Sequence, residues 1–134
     1  MMRRKEVLLL VSLFLPVVFL FACQATVSGS KTGQTYTLNR SVTKPYYWET
    51  VISKDVKPVY NAVLAGIKDL GLIKRTSKVD RLSGLVEGTF ADGTDFRIRI
   101  SYEAPDRTKV LITAGFTGNK TRSLQIFRAI EKHL

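Results

Sequence analysis

The stretch LSGLVEGTFADGTDFRIRISY, residues 82–102, reads as a β-hairpin and decides the fold class. Leu82, Gly84, Val86, Gly88 and Phe90 recur at every second position, as do Phe96, Ile98, Ile100 and Tyr102, with Asp92-Gly93 between the two runs. A period of two places each set on one face of a strand, and Asp-Gly supplies a turn. Face parity then selects the loop. A two-residue turn would set Phe90 opposite Asp95 and Ile98 opposite Glu87, mixing apolar and charged side chains on both faces. A three-residue loop, Ala91-Asp92-Gly93 with Gly93 in the left-handed conformation, returns every apolar residue to one side. Gly88 then faces Phe96, Gly84 faces Ile100, Leu82 faces Tyr102, and Glu87 faces Arg97.

The same period continues on both sides. Val110, Ile112, Ala114 and Phe116 mark a strand after the turn signal Pro105-Asp106, and parity sets Tyr102 opposite Val110 and Glu103 opposite Lys109. Residues 72–79 read as a strand before the hairpin. Further upstream, residues 46–52 form an aromatic and β-branched strand, and residues 35–42 alternate weakly. Tyr46, Tyr47 and Trp48 could form a sugar-stacking or interfacial platform, but their alternation favours packing in a core and at a sheet edge.

Two segments carry the helical period instead. Val56, Val59, Tyr60, Val63, Ile67 and Leu70 make one stripe opposite Lys57, Asn61 and Lys68, with Ser53 or Asp55 as cap, Pro58 in the first turn and Gly71 as the stop. Near the end, Asn119 caps a helix whose Leu124, Phe127, Ile130 and Leu134 face inward with Ile126 beside them, and Arg128, Lys132 and His133 suit its C-terminal dipole. The order predicts an α+β domain: an antiparallel sheet of four to five strands with two helices packed on one face, in a helix-grip-like arrangement.

The first residues place the domain. Arg3, Arg4 and Lys5 precede an apolar run over residues 7–21 that Pro16 interrupts, the layout of a secretory signal and too short for a comfortable membrane span. Leu20-Phe21-Ala22-Cys23 resembles the lipobox of bacterial lipoproteins, although Phe21 departs from the small or branched residue usual there. The resemblance implies cleavage before Cys23 and acylation of this sole cysteine, and in lipoproteins the cysteine carries three acyl chains, enough for permanent attachment. The expected organisation is a signal peptide over residues 1–22, a lipidated Cys23 with a flexible polar tether to residue 34 (QATVSGSKTGQ from Gln24), and one domain over residues 35–134. Gln24 after the cysteine lacks the aspartate that resembles an inner-membrane retention signal, so the periplasmic side of the outer membrane is the expected location.

The chain has 134 residues and a net charge of +10, two units of which belong to Arg3, Arg4, Lys5 and Glu6. That excess favours anionic partners such as lipid headgroups, envelope polymers or acidic proteins, while the export signal argues against nucleic acid. On an outward sheet face, Lys74, Lys78, Arg97, Arg99 and Lys109 would outnumber Glu87, Asp95 and Glu103; the plainer reading of such a face is solvation.

Little here specifies a reaction. His133 is the one histidine and lies near the chain end, no pair of carboxylates is spaced as a dyad, and residues 115–121 fail the spacing of a phosphate loop. No cofactor, metal or catalytic residue is expected. The runs Val59-Tyr60-Asn61-Ala62-Val63, Lys68-Asp69-Leu70-Gly71-Leu72, Leu82-Ser83-Gly84-Leu85-Val86-Glu87-Gly88, Ala91-Asp92-Gly93-Thr94 and Thr108-Lys109-Val110 resemble a family of small uncharacterised bacterial lipoproteins, a domain of unknown function. The element order is more loosely similar to helix-grip domains of outer-membrane assembly accessory lipoproteins, which implies a scaffold role by analogy of fold. The expectation is a membrane-anchored, non-enzymatic envelope lipoprotein acting as a structural or protein-interaction module, with a small-ligand, anionic-polymer or lipid binder as the alternative.

Overall fold

The computed structural model describes residues 25–28, 35–41 and 44–134, with side chains from Tyr47 onward. In chain order these form β1 (Ala25–Ser28), β2 (Thr35–Ser41), β3 (Lys44–Ile52), α1 (Val56–Asp69), β4 (Ile73–Val79), β5 (Ser83–Thr89), β6 (Asp95–Ala104), β7 (Arg107–Ala114) and α2 (Lys120–Glu131). All pairings are antiparallel, in the order β1-β2-β3-β7-β6-β5-β4. The five strands β3 to β7 with the two helices make the expected α+β domain.

The central hairpin pairs as its face parity requires, with Glu87 opposite Arg97, Gly88 opposite Phe96 and Gly84 opposite Ile100. Gly93 adopts φ 82°, and the Phe90 and Gly93 amides donate to the Thr94 and Phe90 carbonyls at 2.8 and 2.9 Å, closing the three-residue loop. The next hairpin differs. Ile100, not Tyr102, stands opposite Val110, and Tyr102 pairs with Thr108, so the register is displaced by two residues with every face preserved. The chain turns through Pro105-Asp106 alone, Ala104 pairing with Arg107 and Asp106 at φ 52°, and an irregularity between Tyr102 and Ala104 absorbs the odd residue. Proline's fixed φ suits the first position of so tight a turn, and aspartate tolerates the left-handed second.

The helices follow their stripes. Val56, Val59, Tyr60, Val63 and Ile67 of α1 are buried, as are Ile126, Phe127 and Ile130 of α2. Gly71 at φ 63° ends α1, the Gly71 and Leu72 amides donating to the Lys68 and Ile67 carbonyls. Asp55 occupies the N-cap of α1 without a side-chain bond, whereas Asn119 accepts from the Arg122 amide at 3.0 Å. Together they cover Trp48 and Ile52 of β3, Val86 of β5, Phe96, Ile98 and Ile100 of β6, and Val110 and Ile112 of β7. Each fully buried side chain of this size contributes about 1.5–3 kcal/mol. The indole of Trp48 donates to the Lys120 carbonyl at 3.0 Å and Thr108 Oγ1 donates to the Lys54 carbonyl at 2.6 Å, tying α2 and the end of β3 to the sheet. Trp48 is thus a core residue, and Tyr47 is half-buried.

Three apolar residues expected inside are outside. Phe116 is 98% exposed because Gly115 and Gly118, at φ 77° and 76°, turn the chain away directly after Ala114. Leu82 and Tyr102 keep their place beside each other, the Tyr102 amide donating to the Leu82 carbonyl at 2.7 Å, yet at the sheet's end they are 58% and 42% exposed. The segment read as a tether also contains structure, since Ala25–Ser28 is β1 and pairs with Ser28 opposite Thr35. The remainder of that segment, and Cys23, lie outside the described residues.

Candidate functional site

With helices on one side, the sheet presents its other face to solvent. Cross-strand partners share a face, so the ladders define its rows. Lys78, Leu85, Arg99, Leu111 and Glu49 form one row; Thr76, Glu87, Arg97 and Thr113 form the next on one side, and Ser83, Ser101, Lys109 and Val51 on the other. Of the five cations expected here, Lys78, Arg97, Arg99 and Lys109 are present. Lys74 is not, because it pairs with Gly88 in the row of Phe96, on the helix side. An irregularity between Lys74 and Thr76 shifts the strand, with Arg75 falling between its paired neighbours; a bulge of this kind cannot be read from alternation.

Much of the charge is internally matched. Arg97 Nε lies 2.5 Å from Glu87 Oε1, and Arg75 Nη2 lies 2.7 Å from Asp95 Oδ1. Lys109 Nζ stands 3.2 Å from Glu103 Oε1 and 3.8 Å from Glu49 Oε1, while Arg107 reaches the other oxygen of Glu103 at 3.3 Å. Glu103 first, then Glu49, hold the Lys109 ammonium above its ordinary value. Lys78 and Arg99 form no ion pair with any described residue. Arg99 stands between Leu85 and Leu111, both half-buried, so a guanidinium is flanked by apolar side chains on an otherwise polar face. Glu49, Leu85, Leu111 and Val51 were not among the candidates, although the alternation of strands β3, β5 and β7 places them opposite the core residues.

A second cluster ties the central hairpin to α2. Arg122 grips Asp92 with both terminal guanidinium nitrogens, Nη1 at 3.0 Å from Oδ1, and its guanidinium carbon lies 4.7 Å from the centre of the Phe90 ring. Phe90 in turn meets Phe96 edge-on, with centroids 5.9 Å apart. The Arg122 bond, followed by the Thr94 amide, holds the Asp92 carboxyl far below the usual carboxylate range. His133 Nε2 lies 2.6 Å from Asp69 Oδ2, linking the ends of the two helices. Among the described residues, no group of three His, Cys, Asp or Glu side chains could hold a metal, and no helix is long and apolar enough to cross a membrane.

Residues 6–133 match the family described as a protein of unknown function, DUF3568. The chain belongs to that family. No curated protein matches it. The DUF3568 match takes in both helices and the whole described sheet, and begins at Glu6, just before the apolar N-terminal run.

Proposed function

We propose that this DUF3568 protein is a bacterial envelope lipoprotein, held by acylated Cys23 on the periplasmic side of the outer membrane, whose domain is a non-catalytic structural or protein-interaction module. The open sheet face carries this reading: Arg99 between Leu85 and Leu111, ringed by matched ion pairs, is a broad surface with an apolar strip and a cation that no described carboxylate neutralises. Interfaces that recognise other proteins combine arginine with apolar contact in this way. The layer between helices and sheet is occupied by Trp48, Val59, Val63, Ile98, Ile112 and Ile130, where a small-ligand pocket would have to open. Lys78 and Arg99 also favour a second reading, adhesion to an anionic lipid or polymer.

A photo-crosslinking amino acid in place of Arg99 in the full-length protein, irradiated in intact cells, discriminates between them. Discrete protein adducts that disappear when Leu85 and Leu111 are both replaced by Glu are expected. Adducts to lipid or polymer alone support the second reading, and no adduct overturns the open face as a site. Labelled fatty acid should enter the wild type and not Cys23→Ser; equal labelling overturns the anchor.

A further inference from the structure

The paired rows also show from which end of the sheet the chain enters β1. Ala25 stands opposite Leu38, which is opposite Trp48, Ile112, Ile98 and Val86 in turn, while Thr26 stands opposite Thr37, in the row of Glu49, Leu111, Arg99 and Leu85. The chain therefore enters β1 from the side of the 91–93 loop and runs away from it. Ala25, two residues after Cys23 in the sequence, is the first described residue of the sheet.

The same end displays Phe116. The Gly115 amide donates to the Asp95 carbonyl at 2.7 Å, the Gly118 amide to the Gly115 carbonyl at 3.3 Å, and the Asn119 amide to the Ala114 carbonyl at 2.6 Å. Residues 115–118 are thus a hydrogen-bonded turn bearing a phenylalanine 98% exposed to solvent. Exposed Lys120 follows it, and Ile73, 59% exposed, pairs with Thr89 at this end of the sheet next to Lys74. The carboxylates here are engaged, Asp92 by Arg122 and Asp95 by Arg75. An exposed aromatic side chain on a hydrogen-bonded turn, near lysines that form no ion pair with any described residue, matches the chemistry of an anionic bilayer's interface, where aromatic rings sit at headgroup depth and lysines meet phosphate.

We infer that the turn of residues 115–118 is a membrane contact, in which Phe116 enters the lipid interface and Lys120 meets anionic headgroups, so that the domain lies with this end on the bilayer. This rests on the anchoring of the chain at Cys23, and it fixes an orientation that anchoring alone does not. It also leaves the open sheet face directed sideways, accessible to a protein partner.

The test uses the full-length protein reconstituted in vesicles of phosphatidylcholine and phosphatidylglycerol, with an environment-sensitive fluorophore on Phe116→Cys or, for comparison, on Arg81→Cys in the turn at the opposite end. Spin-labelled lipids should quench the label at position 116 several-fold more than that at 81, and Lys120→Glu should reduce the quenching. Protein that floats with the vesicles but shows equal quenching at the two positions overturns the contact and leaves the anchor standing. Protein that does not float overturns both.

Discussion

Gly88 and Phe96 face each other across β5 and β6 with no room for a further carbon: a methyl group on Gly88 would stand 2.8 Å from ring atoms Cε1 and Cζ, and 2.1 Å from the Ile73 carbonyl oxygen. The carbonyl cannot swing aside as a side chain can. Gly88→Val is expected to cost roughly 1–3 kcal/mol by overpacking. At Gly84 the nearest atoms are the flexible Ile100 Cδ1 and Tyr60 Cδ2, both at 3.3 Å, so Gly84→Ala is expected to cost less than about 1 kcal/mol. Urea unfolding of the two variants gives the comparison, and equal losses would contradict it.

Gly66 makes the equivalent approach between helices. A Cβ there would meet the Ile130 amide nitrogen at 2.7 Å and the Ala129 carbonyl carbon at 2.9 Å. Helix propensity favours alanine over glycine by about 1 kcal/mol, so a lone exposed helix would gain from Gly66→Ala. Here the backbone of α2 must move, and net destabilisation of about 1–3 kcal/mol is expected in thermal or urea unfolding.

Thr50 and Thr108 provide a contrast within one residue type. Both are buried on the core face, but Thr50 Oγ1 has no hydrogen-bond partner among the described residues whereas Thr108 Oγ1 donates to the Lys54 carbonyl at 2.6 Å. An unpartnered buried hydroxyl is a desolvation cost, and a partnered one is a net gain. Thr50→Val should therefore raise stability by about 1 kcal/mol and Thr108→Val lower it by about 1 kcal/mol. Midpoints moving in the same direction would refute the assignment.

The Asp92 carboxyl is held far below its ordinary value by Arg122 first and the Thr94 amide second. Its folded value lies under its unfolded one, so its stabilisation is complete above the unfolded value and fades as pH falls through that region toward the folded one. Asp92→Asn should thus lower the urea midpoint at neutral pH, and the gap to wild type should narrow below about pH 4. High salt should narrow it too, because the pair is exposed. A gap independent of pH would assign the effect to packing of Arg122 on Phe90.

The faces of β5, β6 and β7, the three-residue loop at Gly93, both helical stripes and the stop at Gly71 were legible in the sequence, because each follows from a local period or a backbone conformation few residues accept, whereas the bulge that turns Lys74 of β4 to the helix side was not. Face parity also carried over to β7, since a displacement by two residues preserves it. For the same reason parity could not distinguish Val110 opposite Tyr102 from Val110 opposite Ile100; the tight turn at Pro105-Asp106 and the irregularity beside Glu103 made that choice. Alternation marked Phe116, Leu82 and Tyr102 as apolar, but burial depends on what covers a residue, and that is set by where α1 and α2 cross the sheet. The contact between Gly66 and Ile130 and the grip of Arg122 on Asp92 join residues far apart in the chain, with no periodic trace in either segment. Local chemistry wrote the elements, most of their faces and the pairing of Arg99 with Leu85; packing between segments that no single stretch contains set the order of the whole sheet, the ends of its strands and the register that brings Leu111 to the other side of Arg99.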